Sequence, residues 1–89
     1  MPVIAFFKGL VIYMFYLDNK QHKLPHIHVM YNDKSAVYSI PEGNLLEGIL
    51  PIAKERLVLA WIEMRKEELM ADWQLAVAGQ TVFKIEPLK

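Results

Sequence analysis

VIAFFKGLVIYMFYL, residues 3–17, consists almost entirely of aliphatic and aromatic residues. Such residues favour extended backbone, and Lys8-Gly9 supplies a bend in the middle of the segment. The segment therefore predicts two strands joined by a tight turn. Both alternating faces of the second strand are apolar, which is typical of a strand in the centre of a sheet that is covered on both sides.

Further strands are predicted downstream of this hairpin. His26 to Tyr31 has strand composition, and Asn32-Asp33-Lys34 is typical of a hairpin turn before another strand at residues 35–40. Residues 45–50 fit an edge strand or a loop, because their periodicity does not distinguish the two. The sequence thus predicts an antiparallel sheet of three to five strands.

A long C-terminal helical segment follows the sheet. Pro51 suits the first turn of a helix, no proline or glycine interrupts residues 52–78, and Gly79 is a suitable C-terminal cap. Apolar residues recur there at spacings of three and four: Leu57, Val58, Trp61, Ile62, Leu69, Trp73, Ala76 and Val77. A straight helix of about 27 residues would be about 40 Å long, so we expect one bent helix or two shorter ones packed on the sheet. The predicted fold class is α+β, with an extended tail at residues 81–89.

The composition indicates a single domain, residues 1–89, because a chain of 89 residues can bury one modest core. Ten basic residues balance ten acidic ones, so no net charge draws the molecule to nucleic acid or to an anionic membrane. The chain has no cysteine, which excludes disulfides and cysteine-based zinc sites, and no apolar run reaches the roughly 20 residues that span a bilayer. We expect a cytoplasmic protein whose low net charge favours pairing, for example as a homodimer.

Two histidines stand one residue apart in the predicted strand PHIHVMY. Residues two apart on a strand project to the same side, so the imidazoles of His26 and His28 should be neighbours. Neighbouring imidazoles can work as a general acid and a general base, or as two ligands of a divalent metal, with His22 or Asp18, or Glu42 if the hairpin brings it close, as a third. They can equally be structural residues that make surface or cross-strand contacts.

If the pair acts on RNA, one imidazole would deprotonate the ribose 2′-hydroxyl and the other would protonate the leaving oxygen. Lys23 or Lys34 could counter the phosphate charge, although solvated loop lysines have the same pattern. Tyr31 could stack on a base if its ring turns to the ligand side. This chemistry needs no metal.

Trp61 and Trp73 lie on the apolar stripe of the helical segment. Tryptophan dominates interface hot spots, so the two could form a partner-binding surface. At this spacing they can also be core residues.

Four groups of residues carry a resemblance that covers nearly the whole chain: Pro25-His26-x-His28-Val29, Leu57-Val58-Leu59-x-Trp61, Asp72-Trp73 with Ala78-Gly79, and Ile85-x-Pro87-Leu88. They resemble the small bacterial family called domain of unknown function 4160 (DUF4160). The resemblance implies the toxin half of a type II toxin–antitoxin pair, neutralised by a small partner of the DUF2442 family encoded beside it. Ala5 and Met30 replace charged residues of the family pattern, which weakens the expectation of phosphate binding.

The sequence therefore predicts a toxin component that acts on RNA through His26 and His28, with a cognate small antitoxin-like protein as its partner. One alternative is a non-enzymatic partner-binding or regulatory module. The other is a divalent-metal site built on the histidines. No cofactor is expected apart from that metal.

Overall fold

In the computed structural model, residues 2–15 and 24–88 are described. They form five strands and one helix: β1 (Val3–Phe7), β2 (Leu10–Tyr13), β3 (His26–Tyr31), β4 (Lys34–Ser39), β5 (Leu45–Gly48) and α1 (Ile52–Val77). The strands make one antiparallel sheet in chain order. The predicted α+β class is confirmed, and residues 45–48 form an edge strand.

The two hairpin turns contain residues with positive φ. Between β1 and β2, Lys8 has φ 52° and Gly9 has φ 81°, so the predicted bend is confirmed. Between β3 and β4, Asn32 has φ 55°, a conformation that asparagine tolerates better than most residues. This second turn is one residue shorter than predicted, because Lys34 already belongs to β4.

Strand β2 lies between β1 and β3, but its two faces differ in burial. Leu10 and Ile12 are fully buried, whereas Val11 and Tyr13 are only partly buried. The prediction of a strand covered on both sides is therefore corrected. Helix α1 covers one face of the sheet, and among the described residues no further helix or strand lies on the other face, where His26, Val37 and Ser39 are nevertheless buried.

Helix α1 is bent, as predicted. Arg65 has a non-helical backbone conformation (φ −121°, ψ 20°) inside the helix. At its C-terminus, Gly79 has φ 75° and its N–H donates to the carbonyl of Ala76, while the N–H of Gln80 donates to the carbonyl of Leu75. This pair of hydrogen bonds is a Schellman motif, which confirms the predicted glycine cap. In the described ranges no helix is long and apolar enough to cross a membrane.

The core lies between α1 and the sheet. The rings of Phe7 and Trp61 are 5.5 Å apart, and the Tyr38 hydroxyl donates to Glu55 Oε2 at 2.8 Å. Both Trp61 and Trp73 belong to this buried cluster. Their assignment to a partner interface is therefore corrected, because the apolar stripe of the helix faces the sheet and hides both indoles. Trp61 Nε1–H donates to the carbonyl of Glu86, which satisfies its polar group.

The segment after α1 returns along the edge strand β1. The N–H of Phe83 donates to Asp72 Oδ1 at 3.0 Å, and the N–H of Ile85 donates to the carbonyl of Ile4 at 2.8 Å. Ile85 is buried, so this tail completes the core. Asp72 is also buried, its Oδ2 has no hydrogen-bond partner among the described residues, and burial raises the pKa of its carboxyl.

Candidate functional site

The sheet face opposite α1, here called the outer face, carries two rows of side chains. Directly paired residues of antiparallel strands point to the same side, so the pairing register gives the membership of each row. The first row is Phe6, Val11, Met30 and Ser35, and the second is Val3, Tyr13, His28, Val37 and Glu47.

The first row is apolar and accessible. Phe6 is 63% exposed and Met30 is 39% exposed, with Val11 partly buried between them. Aromatic and aliphatic side chains that touch across three strands form a continuous apolar strip. An exposed contiguous strip of this kind marks a binding surface more often than isolated apolar residues do.

The second row contains a cavity of about 150 Å³, here called the outer cavity. Tyr13, His28 and Glu47 are long side chains of this row, while Val37 between His28 and Glu47 is short. A short side chain between long neighbours leaves a hollow. Ser35 and Gly48 also line the cavity and extend the hollow toward the edge of the sheet.

Gly48 is required by the backbone at this edge. It has φ 78°, and a Cβ at this position would collide with the carbonyl oxygen of Ser35. Glycine alone combines this conformation with so close an approach of two strands. The shape of the cavity at the β5 side therefore depends on Gly48.

Aromatic rings form the opposite wall of the outer cavity. The rings of Tyr13 and Phe15 are nearly parallel, with centroids 6.3 Å apart and an interplanar angle of 9°. The His28 ring meets Phe15 edge to face at 4.3 Å. These contacts hold the His28 ring beside an apolar wall rather than in open solvent.

The two histidines are neighbours, as predicted, but their environments differ. Their ring centroids are 5.2 Å apart. His28 lines the outer cavity, whereas His26 is only 1% exposed, and its Nδ1 lies 2.8 Å from the carbonyl oxygen of Leu24. The Trp73 ring lies 4.9 Å from the His26 ring.

The burial of His26 follows from the length of β2. Strand β2 pairs with β3 only from His28 to Tyr31, so His26 lies beyond this pairing, where Trp73 of α1 reaches its ring. The expectation that a ligand can reach both imidazoles is therefore corrected. In this structure His28 lines the outer cavity and His26 belongs to the packed interior.

Tyr31 and Lys34 point away from His28. They face each other across β3 and β4, and Tyr31 is an odd number of residues from His28, so both lie on the sheet side that carries α1. Tyr31 packs against the core, and Lys54 Nζ lies 5.0 Å above its ring. For this reason the predicted role of Tyr31 in stacking on a base, and that of Lys34 in countering phosphate charge beside the histidines, are corrected.

Lys23 and His22 lie outside the described residues. Among residues 2–15 and 24–88, no group of three or more histidine, cysteine, aspartate or glutamate side chains is arranged to hold a metal ion. Because His22 and Asp18, two of the proposed third ligands, lie outside the described residues, the metal site stays a prediction.

The outer-face residues Phe6, Tyr13, Val37 and Glu47 were not predicted from the sequence as site residues. A signal for them existed, because β2 is apolar on both alternating faces and only one face can contact α1. That pattern indicated a second apolar surface, which the structure leaves accessible in part: Phe6 is exposed, Val11 and Tyr13 are partly buried, and Val37 is buried.

Comparison with known proteins gave one match. The model of the family described as Domain of unknown function (DUF4160) matches residues 9–74, which is about three quarters of the chain. No curated protein and no solved structure matches.

Proposed function

The chain belongs to the DUF4160 family, and we propose that it is the toxin-like component of a cytoplasmic two-protein pair that binds its small antitoxin-like partner through the outer face of the sheet. The family description assigns no activity. Two observations support the proposal: the resemblance of the sequence to a toxin–antitoxin family and the accessible apolar surface of the fold.

The exposed strip formed by Phe6, Val11 and Met30 is the observation that carries the proposal. Aromatic residues and methionine are enriched at the centres of protein interfaces, and charged residues are depleted there. An antiparallel sheet can keep one face in water when that face is polar. Here the open face is apolar, and covering it with a protein partner would remove that surface from water.

The charge of the outer face favours a protein over RNA. Among the nine residues of the two rows, Glu47 is the one acidic residue, and no lysine or arginine is present. RNA binding relies on basic side chains that neutralise phosphates. The two rows are therefore poorly matched to a polyanion and better matched to a neutral protein surface.

RNA cleavage by the histidine pair is the second candidate. The 5.2 Å separation of the two rings supports it, since a general acid and a general base must lie close to the same substrate. The burial of His26 opposes it, because a buried ring must first become exposed before it exchanges protons with a substrate. We therefore rank this mechanism below partner binding.

A growth assay with and without the neighbouring antitoxin-like protein tests the proposal. The double variant Phe6→Ser, Met30→Ser should still arrest growth but should no longer be rescued, with binding weakened at least about tenfold. Phe83→Ser is the matched control, because Phe83 is 70% exposed on the tail and lies outside both rows. This control should be rescued like the natural chain.

Three outcomes would overturn the proposal. The first is a complex that the outer-face double variant leaves unchanged. The second is the absence of both growth arrest and a complex. The third is a homodimer of this chain that the same double variant dissociates, because a second copy would then occupy the face. Loss of toxicity in His28→Ala with the complex intact would support the RNA mechanism instead.

A further inference from the structure

We infer that the basic end of the sheet binds an acidic segment of the partner protein. The basic end is the edge where both hairpin turns lie, together with the first turn of α1, and its cations are Lys8, Lys34 and Lys54. The inference rests on the proposed function, because this edge borders the outer face that the partner covers. The surface that the partner contributes beside the outer face would then be acidic.

The side chain of Tyr31 brings the three lysines together. A Cβ at Gly9 would lie 3.1 Å from Cε1 of Tyr31, so the Lys8-Gly9 turn packs beside the ring. Lys34 pairs with Tyr31 across β3 and β4, which places their Cβ atoms about 4.5–5.5 Å apart. Lys54 Nζ lies 5.0 Å from the centroid of the same ring, and it donates to the carbonyl oxygen of Lys8 at 2.8 Å. Three segments that are distant in the chain therefore place a lysine around one aromatic side chain.

The three lysines of the basic end have no carboxylate partner among residues 2–15 and 24–88. By contrast, Arg65 and Lys66 in the middle of α1 are each paired with a glutamate, at 3.2 and 2.9 Å. An unpaired ammonium group can bind an incoming carboxylate without first breaking an existing ion pair. The basic end is therefore available to an anionic ligand in a way that the middle of α1 is not.

Two acidic residues lie close to the basic end in the sequence, but they leave its charge positive. Asp33 is exposed in the turn between β3 and β4, and Glu55 follows Lys54 in α1. The Glu55 carboxylate already accepts from the Tyr38 hydroxyl at 2.8 Å. Three cations against two carboxylates still give a net positive charge, although the chain as a whole is neutral.

Lys54 occupies a position where a cation is unfavourable for the helix. It lies in the first turn of α1, and the N-terminus of a helix carries the positive end of the helix dipole. Residues that break a local rule of stability are expected at functional sites. The partial positive charge of this helix end also adds to the attraction for an anion.

The basic end adjoins the exposed apolar strip of the outer face. Lys34 is next to Ser35, the last residue of the first row, and one residue separates Lys8 from Phe6. Protein interfaces usually have an apolar centre and a polar rim. A partner that covers Phe6 and Met30 would therefore meet the basic end with part of its own rim.

The small number of cations favours an acidic protein segment over RNA. Three lysines would contact about three phosphates, whereas strongly salt-dependent binding of nucleic acid involves about six to ten such contacts. The two rows of the neighbouring outer face contain no lysine or arginine that would extend the contact along an RNA strand. At a protein interface, charges of this kind chiefly raise the association rate and fix the orientation of the partner.

An NMR titration of the whole chain with a pentaglutamate peptide, acetylated and amidated at its ends, tests the inference. The peptide should shift the ring signals of Tyr31 and the amide signals of Lys8 and Lys34, with a Kd of about 1 mM at about 20 mM salt. Pentaglutamine has the same length without the charge and should cause no shift. The double variant Lys8→Gln, Lys34→Gln should bind pentaglutamate at least about fivefold more weakly. The matched control Arg56→Gln, Lys66→Gln removes the same charge from exposed positions of α1 and should bind like the natural chain.

The association rate with the antitoxin-like protein provides a second measurement. The rate constant should fall at least about tenfold between about 20 and 200 mM salt, as expected for electrostatic steering. At the lower salt concentration it should be at least about threefold smaller in Lys8→Gln, Lys34→Gln than in the control double variant, while the dissociation rate changes less.

Four results would overturn the inference. They are association that does not depend on salt, equal association rates in the two double variants, equal binding of pentaglutamate and pentaglutamine, and no shift with pentaglutamate up to about 20 mM. Tighter binding of a uridine pentanucleotide than of pentaglutamate at the same residues would also overturn it, because the basic end would then select phosphate.

Failure of this inference can be told apart from failure of the proposed function. If the partner complex forms and depends on Phe6 and Met30 while the two double variants associate equally fast, only the acidic contact is wrong. If pentaglutamate binds at the basic end but no partner complex depends on Phe6 and Met30, the proposed partner-binding role fails, and the binding of anions stands as a separate property.

Discussion

The ring of His26 packs against the indole of Trp73, with the two centroids 4.9 Å apart. This contact joins the beginning of β3 to the second half of α1. It divides the His-x-His motif into one residue that stabilises the interior and one residue that faces the outer cavity.

Alanine substitutions at the two histidines should therefore lower the free energy of unfolding by unequal amounts. His26→Ala should lower the free energy of unfolding by about 2–4 kcal/mol, because it leaves a cavity beside Trp73 and removes the partner of the Leu24 carbonyl. His28→Ala should cost less than about 1 kcal/mol, because the ring is only half-buried. Urea unfolding of both variants measures the difference, and equal losses would contradict the division of roles.

The glycines at 43 and 48 offer a matched pair of substitutions. Both have positive φ, 77° and 78°, so alanine strains the backbone equally at each. At Gly48 the new Cβ meets the backbone of Ser35, whereas at Gly43 it meets the flexible end of the Leu59 side chain at 3.0 Å.

Gly48→Ala should thus destabilise the fold by at least about 1 kcal/mol more than Gly43→Ala does. Thermal unfolding monitored by circular dichroism would give both values. A smaller loss at Gly48 than at Gly43 would show that β4 and β5 do not approach as closely as described.

The buried Asp72 carboxyl makes stability depend on pH. Its pKa is raised by burial, against the opposing effect of the Phe83 hydrogen bond, so the folded protein retains this proton over a range where the unfolded chain has released it. The contribution of Asp72 to the free energy of unfolding is at its full value below the ordinary carboxyl pKa. It is lost as the pH rises through the raised pKa.

Asp72→Asn should remove this dependence. The stability of the variant relative to the natural chain should increase as the pH rises from about 4 to about 8, since the amide stays neutral throughout. Urea unfolding across this range provides the measurement, and Glu67→Gln, an exposed carboxyl on the same helix, is the control. Parallel curves for Asp72→Asn and the natural chain would rule out a raised pKa at this position.

The hydroxyl of Tyr38 is a further test of the packing between β4 and α1. Burial first, and Glu55 second, raise the pKa of this phenol, so it stays protonated and donates to Glu55 Oε2. Tyr38→Phe should lower the free energy of unfolding by about 1–2 kcal/mol. If Glu55→Gln is introduced first, the further cost of Tyr38→Phe should fall, and an unchanged cost in this double-mutant cycle would show that the hydrogen bond contributes nothing.

Local sequence patterns were sufficient to predict most of the secondary structure. The turn at Lys8-Gly9, the strand of the histidine motif and the helix cap at Gly79 each depend on residues close together in the chain. The bend of α1 near Arg65 was also predictable, because the apolar stripe is interrupted there. In these places the local preference and the tertiary contacts agree.

The site was predicted less completely because it depends on contacts between distant segments. The sequence places His26 and His28 on one side of a strand, but it does not show that Trp73 reaches the first ring and not the second. The position of Tyr31 was available from the alternation of the strand, which puts it opposite to His28. The apolar second face of β2 has the same pattern whether it is covered or exposed, so only the three-dimensional arrangement identifies it as a surface.

The return of the tail to β1 has a consequence for synthesis on the ribosome. Ile4 is synthesised long before Ile85, whose N–H donates to the carbonyl of Ile4, and the indole N–H of Trp61 donates to the carbonyl of Glu86, which is synthesised 25 residues later. The hydrophobic core of the nascent chain therefore cannot be completed while the residues of α1 are being synthesised. Until residues 85 and 86 leave the exit tunnel, the β1 edge is open to other strands, and this is the period when a chaperone or a co-translationally made partner would protect it best.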